Sequence, residues 1–478
     1  MSKLIKNSFI EAIINKYGKW KSIVFFILIL ILFFSFGYND VIIINRHGLS
    51  LWDAIFDKKG GLSHFYDVSY WNSLSDFLYG RDCTTMAFYD FTIYIIEGIW
   101  LFPLYILSII TKVDVAYAWY GILWGKLLHV CFAFLDGYLV YIITKKQKDE
   151  DVAVKSAIYF LTSIITCSSV YIIGQCDSIV IFFMLLGMYY LFEKKKIIGL
   201  IMLSIAASMK LFALFFLIAI VLMLEKRIHK IIISVAPSIA FIVFMKLIVR
   251  PLETETISYR TTWLANQTKQ MFGAVFPFFG SSVPVLIVFV IAIFAFCYLY
   301  GEKNIIKVSY YSFILYFLLF ISFNITPYWI MYMMPFYCII LAYVEQKNKN
   351  VYIFALIGEA ALVIGHYIKF YWCYDIEIVN RSIIGRLIGR IDKNRVIYSL
   401  SYFQKTDSKL LYGTMYGVFI VCFVIVIIMS YRAIKGKECL QTNYASINQW
   451  FYKNNILLRI LVAYIPLLIY VLNVILMG

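Results

Sequence analysis

One short polar element in this sequence could carry chemistry because it interrupts two apolar runs. It is Gly174-Gln175-Cys176-Asp177. At such a position the glutamine and the carboxylate could hold a polar ligand. The favoured interpretation is a helix cap, in which Asp177 precedes a helix that starts at Ser178, because Asp is a preferred N-cap residue.

A second candidate is Lys210, which lies within the apolar run from Ile197 to Leu224. This run is too long for one span and too short for two complete spans at roughly 1.5 Å per residue. It therefore predicts two short helices that meet at Ser208-Met209-Lys210. There the ammonium group could bind a phosphate, or it could extend to the lipid headgroups, and the two interpretations weigh equally.

A third candidate region runs from Asp40 to Asp90 and is rich in carboxylates. A general base for a hydroxyl group needs a carboxylate whose position is fixed, and Asp40 and Asp90 each lie where this region meets an apolar helix. Asp40 is the first choice because Arg46 and His47 follow it closely and could orient it. Asp90 could instead serve only as a helix cap.

Three ionisable residues lie inside a single apolar segment: Lys126, His129 and Asp136. Ionisable groups at membrane depth are costly and mark functional sites by default. Lys126 and His129 are three residues apart and so share one helix face. Internal pairing is favoured over a catalytic role.

The composition indicates how these residues must be positioned. Of the 478 residues, 63% are hydrophobic and 15% are charged, which excludes an ordinary soluble domain and predicts an all-α bundle of about 11–13 transmembrane helices. The net charge of +16 comes from short basic clusters between apolar runs, so it indicates membrane orientation and no nucleic-acid partner. The nine cysteines show no metal-binding or disulfide spacing.

The basic clusters predict a multi-pass cell-membrane protein with a cytoplasmic N-terminus. Residues 37–90 then form a large external loop with amphipathic helices at Leu51–Phe56 and Tyr70–Leu78, and residues 373–411 form a second one. Of the apolar segments 91–110 and 117–143, only one can cross completely, with a possible break at Pro103. The six clusters assigned to the cytoplasm are Lys145/Lys146/Lys148, Lys194–Lys196, Lys226/Arg227/Lys230, Lys303/Lys307, Lys347/Lys349 and Arg432/Lys435/Lys437.

Taken in order, these features resemble the GT-C superfamily of integral-membrane glycosyltransferases that use polyprenyl-phosphate sugars. The likeness is densest over residues 120–225, where Gly174-Gln175-Cys176-Asp177-Ser178 resembles a GQ-x-D-S element and Ala206–Leu211 resembles a hairpin carrying a lysine. Asn324–Pro335 is similar to a Pro/Trp-bearing external turn. Two features depart from the family pattern: Leu211 follows the lysine where proline is frequent, and no paired acidic motif follows the first helix directly.

The resemblance implies a single GT-C-like domain over residues 1–478 that transfers a sugar, by a metal-independent inverting reaction, to a glycan, glycolipid or protein acceptor at the external face. No cofactor is implied, although use of a divalent cation is left open. The base would be Asp40 or Asp90. The residues that would bind the substrate or lipid phosphate are Arg46, His47, Gln175, Asp177, Lys210 and Arg260. The alternative is a polysaccharide polymerase or a flippase for lipid-linked sugars, favoured by the arginines between Arg381 and Arg395.

Overall fold

The computed structural model shows a chain built almost entirely of helices. It describes residues 2–56, 61–71, 86–278, 281–322, 326–392, 396, 408–436 and 446–477. Within these ranges the only sheet is one antiparallel hairpin, in which β1 (Val275–Phe278) pairs with β2 (Ser281–Pro284) and Val275 lies opposite Pro284. The all-α prediction therefore agrees with the described part of the chain.

Twenty-three α-helices follow one another in the described residues, with a π-helical segment at Cys167–Ile172 and 3₁₀ helices at Gly61–His64 and Pro327–Met333. The first twelve are α1 Ser2–Tyr17, α2 Lys19–Ser35, α3 Asn39–Phe56, α4 Phe65–Trp71, α5 Phe91–Thr111, α6 Trp119–Lys145, α7 Glu150–Thr162, α8 Ile164–Thr166, α9 Asp177–Phe192, α10 Lys196–Met209, α11 Phe212–Leu224 and α12 Ile228–Ile248. The others are α13 Thr254–Phe272, α14 Val285–Tyr300, α15 Ile305–Ile321, α16 Met334–Glu345, α17 Val351–Lys369, α18 Tyr371–Tyr374, α19 Ile376–Asn380, α20 Ile383–Ile388, α21 Ser408–Ile434, α22 Ser446–Ala463 and α23 Ile465–Met477.

Many of these helices are long and apolar enough to cross a bilayer. Among the described residues there are 7 such helices, or up to 9 if each of two bent helix pairs counts as one span. Five more apolar helices have 10–17 residues, and they include α10 and α11. These lengths agree with a multi-pass membrane protein, and the expected number of about 11–13 spans depends on the short helices.

Among the described residues, which do not include Lys437, members of all six basic clusters lie at one end of the helix bundle, which we call the basic end. Side chains and backbone atoms of the clusters contact one another's helices there, and the opposite end is called the distal end. The contacts are Lys146 with Glu193, the Gln147 side chain with the amide of Ile305 at 2.7 Å, the Lys226 ammonium with the carbonyl of Tyr298 at 2.5 Å, and the Lys347 ammonium with the carbonyl of Ala433 at 2.6 Å. That the basic end faces the cytoplasm remains a prediction.

The contacts of α5 and α6 show where their ends lie relative to the other helices. The Lys126 ammonium of α6 donates to the carbonyls of Phe33 and Phe36 at the distal end of α2, at 2.8 and 3.0 Å, and α6 ends at the basic end with Lys145. Both ends of α5 lie at the distal end, since Asp90 at its start contacts α12 and α13 and the loop that follows it contacts α3. Pro103 does not interrupt α5. Both helices are long and apolar enough to cross a bilayer, so the expectation that only one of them crosses stays a prediction.

The predicted external loop of residues 37–90 contains more helix than its sequence pattern indicated. In place of a short amphipathic piece at Leu51–Phe56, α3 extends back to Asn39 and packs closely on α5. Gly48 and Gly98 permit this approach, because a Cβ atom on either would lie 2.5 or 2.3 Å from a leucine of the other helix. Residues 57–60 and 72–85 lie outside the described residues, and so does most of the piece predicted at Tyr70–Leu78. In the second loop, 393–395 and 397–407 do as well.

Candidate functional site

The Gly174–Asp177 element forms a tight turn at the distal end, between the π-helical segment and α9. Gly174 has a φ of 72°, and a Cβ atom there would lie 2.9 Å from side-chain atoms of both Lys126 and Val41. Glycine is suited to both conditions because it lacks a Cβ atom. The turn delivers Gln175 and Asp177 to the interior, where both are fully buried.

Asp177 does not cap a helix, so the favoured sequence interpretation was wrong. The helix α9 begins at Asp177 itself, and its N-cap residue is Cys176, which makes no side-chain capping bond. The Asp177 carboxylate Oδ1 instead accepts from the Lys210 ammonium at 2.5 Å and from the Tyr332 hydroxyl at 2.7 Å. A buried carboxylate is retained where such a partner neutralises it, and no local sequence signal reveals that partner.

Lys210 occupies the break between two short helices, as the length of its apolar run predicts. The helix α10 ends at Met209, Lys210 is extended, and α11 begins at Phe212. The Lys210 side chain is buried, with its ammonium 4.2 Å from the centre of the Tyr89 ring. Lys210 and Asp177 thus form an internal ion pair with no net charge, and the ammonium does not extend to the bundle surface.

Asp40 lies in the first turn of α3, directly after α2, and its carboxylate is bound by two uncharged donors. Oδ2 accepts from the Gln175 amide at 2.9 Å and from the Tyr328 hydroxyl at 3.2 Å. Burial raises the pKa of Asp40 above its ordinary value of 3.8, although both hydrogen bonds oppose that shift. Asp40 remains partly exposed. A carboxylate with these properties is suited to accept a proton.

Asp90 lies in a more strongly charged group, which we call the Asp90 cluster: Tyr66, Asp90, Lys246 and Arg260. The Asp90 carboxylate is 3.4 Å from the Lys246 ammonium and 3.5 Å from the Arg260 guanidinium. The guanidinium stacks on Tyr66, 3.9 Å from the ring centre. Burial raises the pKa of Asp90, while the two cations oppose the shift. Two cations face one carboxylate here, so the cluster carries a net positive charge.

The Asp90 cluster and the Asp177–Lys210 pair adjoin each other through two tyrosines. The Tyr66 hydroxyl donates to the backbone carbonyl of Tyr89 at 3.1 Å, and the Tyr89 ring lies against Lys210. Asp40 is linked to this group through Gln175, which donates to its carboxylate and lies two residues before Asp177. The distal end therefore brings together Asp40, Gln175, Asp177, Lys210, Asp90 and Arg260, all of which were candidates from the sequence.

Arg46 and His47 do not orient Asp40, so that expectation was wrong. Because residues 39–56 form a helix, six or seven residues separate them from Asp40 by roughly 9–10 Å along its axis. The Arg46 guanidinium pairs with Asp114 at 2.6 Å. The buried His47 ring packs edge-on against the rings of Phe88 and Tyr94. Both side chains stabilise the packing of α3.

The sequence analysis did not identify Tyr89, Lys246 or Tyr332 as members of the site. Lys246 ends an apolar helix, where a basic residue is ordinary. The one feature of the sequence that could have pointed to Tyr332 as a site residue is its spacing of four residues from Tyr328. Lys126 and His129 are paired internally, as favoured, but with partners on other helices: His129 contacts the buried Glu97 at 2.7 Å. For Asp136 the favoured pairing is not found, since neither of its buried carboxylate oxygens has a hydrogen-bond partner among the described residues.

No metal site is formed by the side chains that the structure describes, since no group of three or more His, Cys, Asp or Glu residues is arranged to hold an ion. No family model matches this sequence, and neither does any curated protein or solved structure.

Proposed function

We propose that this chain is an integral-membrane glycosyltransferase that moves a sugar from a polyprenyl-phosphate donor to an acceptor hydroxyl at the distal end. The proposal rests on the resemblance to the GT-C superfamily and above all on one observation. The carboxylate of the partly exposed Asp40 is held by two neutral donors, at the same end of the bundle as the buried Lys210, the partly buried Arg260 and the exposed Lys246. Such a transfer needs both a base and cations for the departing phosphate.

Asp40 is the better base of the two carboxylates. Its hydrogen-bond partners are an amide and a phenol, which fix its position without pairing its charge. Asp90 has two cations as partners and would have to lose those ion pairs on accepting a proton. We therefore assign Asp40 the role of base and Asp90 the role of holding Arg260 and Lys246 in place.

The leaving phosphate is best assigned to the Asp90 cluster. The cluster carries a net positive charge, whereas the Asp177–Lys210 pair is neutral. In addition, the Nη1 atom of Arg260 is buried without a hydrogen-bond partner among the described residues. A guanidinium suits this task because it can donate two parallel hydrogen bonds to a phosphate. Lys210 then acts mainly by maintaining the shape and potential of the adjoining wall. Gln175 positions Asp40.

In the reaction, Asp40 removes the proton from the acceptor hydroxyl as its oxygen attacks the anomeric carbon. The bond from that carbon to the phosphate oxygen breaks, and the negative charge develops on the phosphate beside Arg260 and Lys246. Because the attack is direct, the anomeric configuration inverts and no covalent intermediate with the enzyme forms. The sugar and the acceptor are not specified by these residues.

The test is consumption of a radiolabelled polyprenyl-phosphate sugar by the purified protein in lipid, with an acceptor mixture. Asp40→Asn should lower turnover by about two or more decades, as loss of a general base does. Asp114→Asn is the matched control, since Asp114 lies at the same end but pairs with Arg46. If Asp40→Asn keeps full turnover and Asp90→Asn loses it, the two roles are exchanged. If both stay active, the base lies elsewhere.

The alternative is a flippase or polymerase for lipid-linked sugars. The polymerase is favoured by Arg386 in α20 and Arg390 just after it, which are exposed. A flippase would move the lipid-linked sugar across proteoliposomes without consuming it. A polymerase would extend a saccharide already carried on a lipid diphosphate. Measuring translocation and product size in the same preparation separates all three activities.

A further inference from the structure

A cavity at the basic end is lined by lysines and is remote from the distal-end site. It lies between the ends of α9, α10, α11 and α12 and has a volume of about 180 Å³. This is far more than the roughly 10–15 Å³ that one water molecule needs. Its charged lining residues are Lys194, Lys196, Glu225 and Lys303. We call it the lysine cavity.

The lysine cavity has an excess of positive charge. Lys194, Lys196 and Lys303 line it together with a single carboxylate, Glu225. One oxygen of that carboxylate accepts from the backbone amides of Lys226 and Arg227 at 3.1 and 3.2 Å, at the start of α12. The other oxygen is 4.0 Å from the Lys196 ammonium, a separation too long for a hydrogen bond.

Two other lysines at the basic end are paired, in contrast to two of the lysines that line the cavity. Lys146 pairs with Glu193, and Lys226 donates to the carbonyl of Tyr298. No side-chain hydrogen bond or ion pair is found for Lys194 or Lys303 within the part of the chain that the structure describes. Lys194 also has a φ of 61°, a left-handed conformation that normally favours glycine, directly at the cavity edge.

The apolar surroundings of the cavity suit a lipid phosphate better than a free phosphate ion. Leu191, Leu200, Val221 and Leu224 form its apolar wall. Next to lining residues on α10 and α12, Ile197 and Ile233 are 76% and 68% exposed, so apolar surface continues from the cavity along the outside of the bundle. An ordinary phosphate ion would use the lysines and leave this surface uncovered.

We infer that the lysine cavity binds the phosphate of an anionic membrane lipid, with the acyl chains lying along α10 and α12. Three cations against one carboxylate favour a headgroup with at least one net negative charge. The apolar surface beside them favours a lipid over a soluble phosphate. This inference does not depend on the transferase proposal, because binding is measured without turnover.

Native mass spectrometry of the purified protein tests the inference with phosphatidylglycerol and phosphatidylcholine of identical acyl chains. We expect at least about tenfold tighter retention of phosphatidylglycerol, because the two lipids share the phosphate but phosphatidylcholine adds a choline cation that the three lysines repel. The triple variant Lys194→Gln/Lys196→Gln/Lys303→Gln should lose this preference. Lys435→Gln is the control, because Lys435 lies at the same end but outside the cavity, near the ring of Tyr431. It should retain the preference.

Three results would overturn the inference. They are equal retention of the two lipids, an undiminished preference in the triple variant, and displacement of phosphatidylglycerol by inorganic phosphate at equal concentration, which would identify a soluble anion as the ligand. The single variant Lys303→Gln changes only a residue that lies between α14 and α15. It should show a smaller loss of the preference for phosphatidylglycerol than the triple variant. It therefore keeps the test valid if the triple variant does not fold.

Discussion

Lys210→Met should destabilise the fold strongly, because it leaves a buried carboxylate without its cation. Asp177 is fully buried; its Oδ1 would keep only the Tyr332 hydroxyl, and its Oδ2 has no hydrogen-bond partner in the described ranges. Removing one partner of a buried pair costs about 3–5 kcal/mol, whereas replacing both partners by apolar residues is often close to neutral. We therefore expect Lys210→Met/Asp177→Leu to recover most of the stability lost in Lys210→Met.

The measurement is equilibrium unfolding in detergent micelles for the two single variants and the double variant. Lys16→Met is the matched control, since Lys16 forms an exposed pair with Asp151, for which we expect about 0–1 kcal/mol. Additive losses, or a loss below about 1 kcal/mol in Lys210→Met, would refute a buried pair. Turnover adds a second readout. If the double variant is stable but its turnover on a polyprenyl-phosphate sugar stays at least about tenfold low, the Lys210–Asp177 pair also contributes to activity.

Three more predictions concern the distal end. The kcat/KM of the wild-type protein should rise with pH through the pKa of Asp40, which lies above 3.8. Gln175→Leu removes a hydrogen bond that lowers this pKa, so the rise in kcat/KM should move to higher pH. An unchanged pH profile would exclude Asp40 as the base. The Asp67 carboxylate accepts from the backbone amides of Leu252 and Glu253, just before α13, at 2.9 and 3.1 Å. Asp67→Ala should therefore speed hydrogen exchange along α13 at least about tenfold. Unchanged exchange would show that this helix is held by other contacts. Gly174→Ala should lower the free energy of unfolding by about 1–2 kcal/mol or more because residue 174 has a positive φ. Gly413→Ala is the control and should not lower it, because the space around Gly413 is open. Equal effects would contradict the close turn at residue 174.

Much of the architecture follows from the sequence because it depends on local patterns. The apolar content and its run lengths predicted an all-helical chain, and the length of the Ile197–Leu224 run predicted the break at Lys210. The charge pattern predicts that only one of the segments that became α5 and α6 crosses, and this stays a prediction. Each inference uses hydrophobicity or charge over a window of about twenty residues, which is the scale on which a bilayer acts.

The position of Asp40 was also predictable, and its partners were not. A carboxylate directly after an apolar helix must lie near the end of the bundle, whichever helices surround it. Its donors, Gln175 and Tyr328, are 135 and 288 residues away in the sequence. Nothing local distinguishes Tyr328 from the other tyrosines of a chain that has 39 of them.

The tertiary structure alone decided what Asp177 and Lys210 do. An aspartate before an apolar run has the same local sequence whether it caps that helix or pairs with a distant cation, and here Lys210 is brought to it from 33 residues away. Similarly, proximity of Arg46 to Asp40 in sequence did not become proximity in space, because the intervening residues are helical and direct Arg46 to Asp114. Local sequence determines which residues are costly to bury, and helix packing determines which partners compensate that cost.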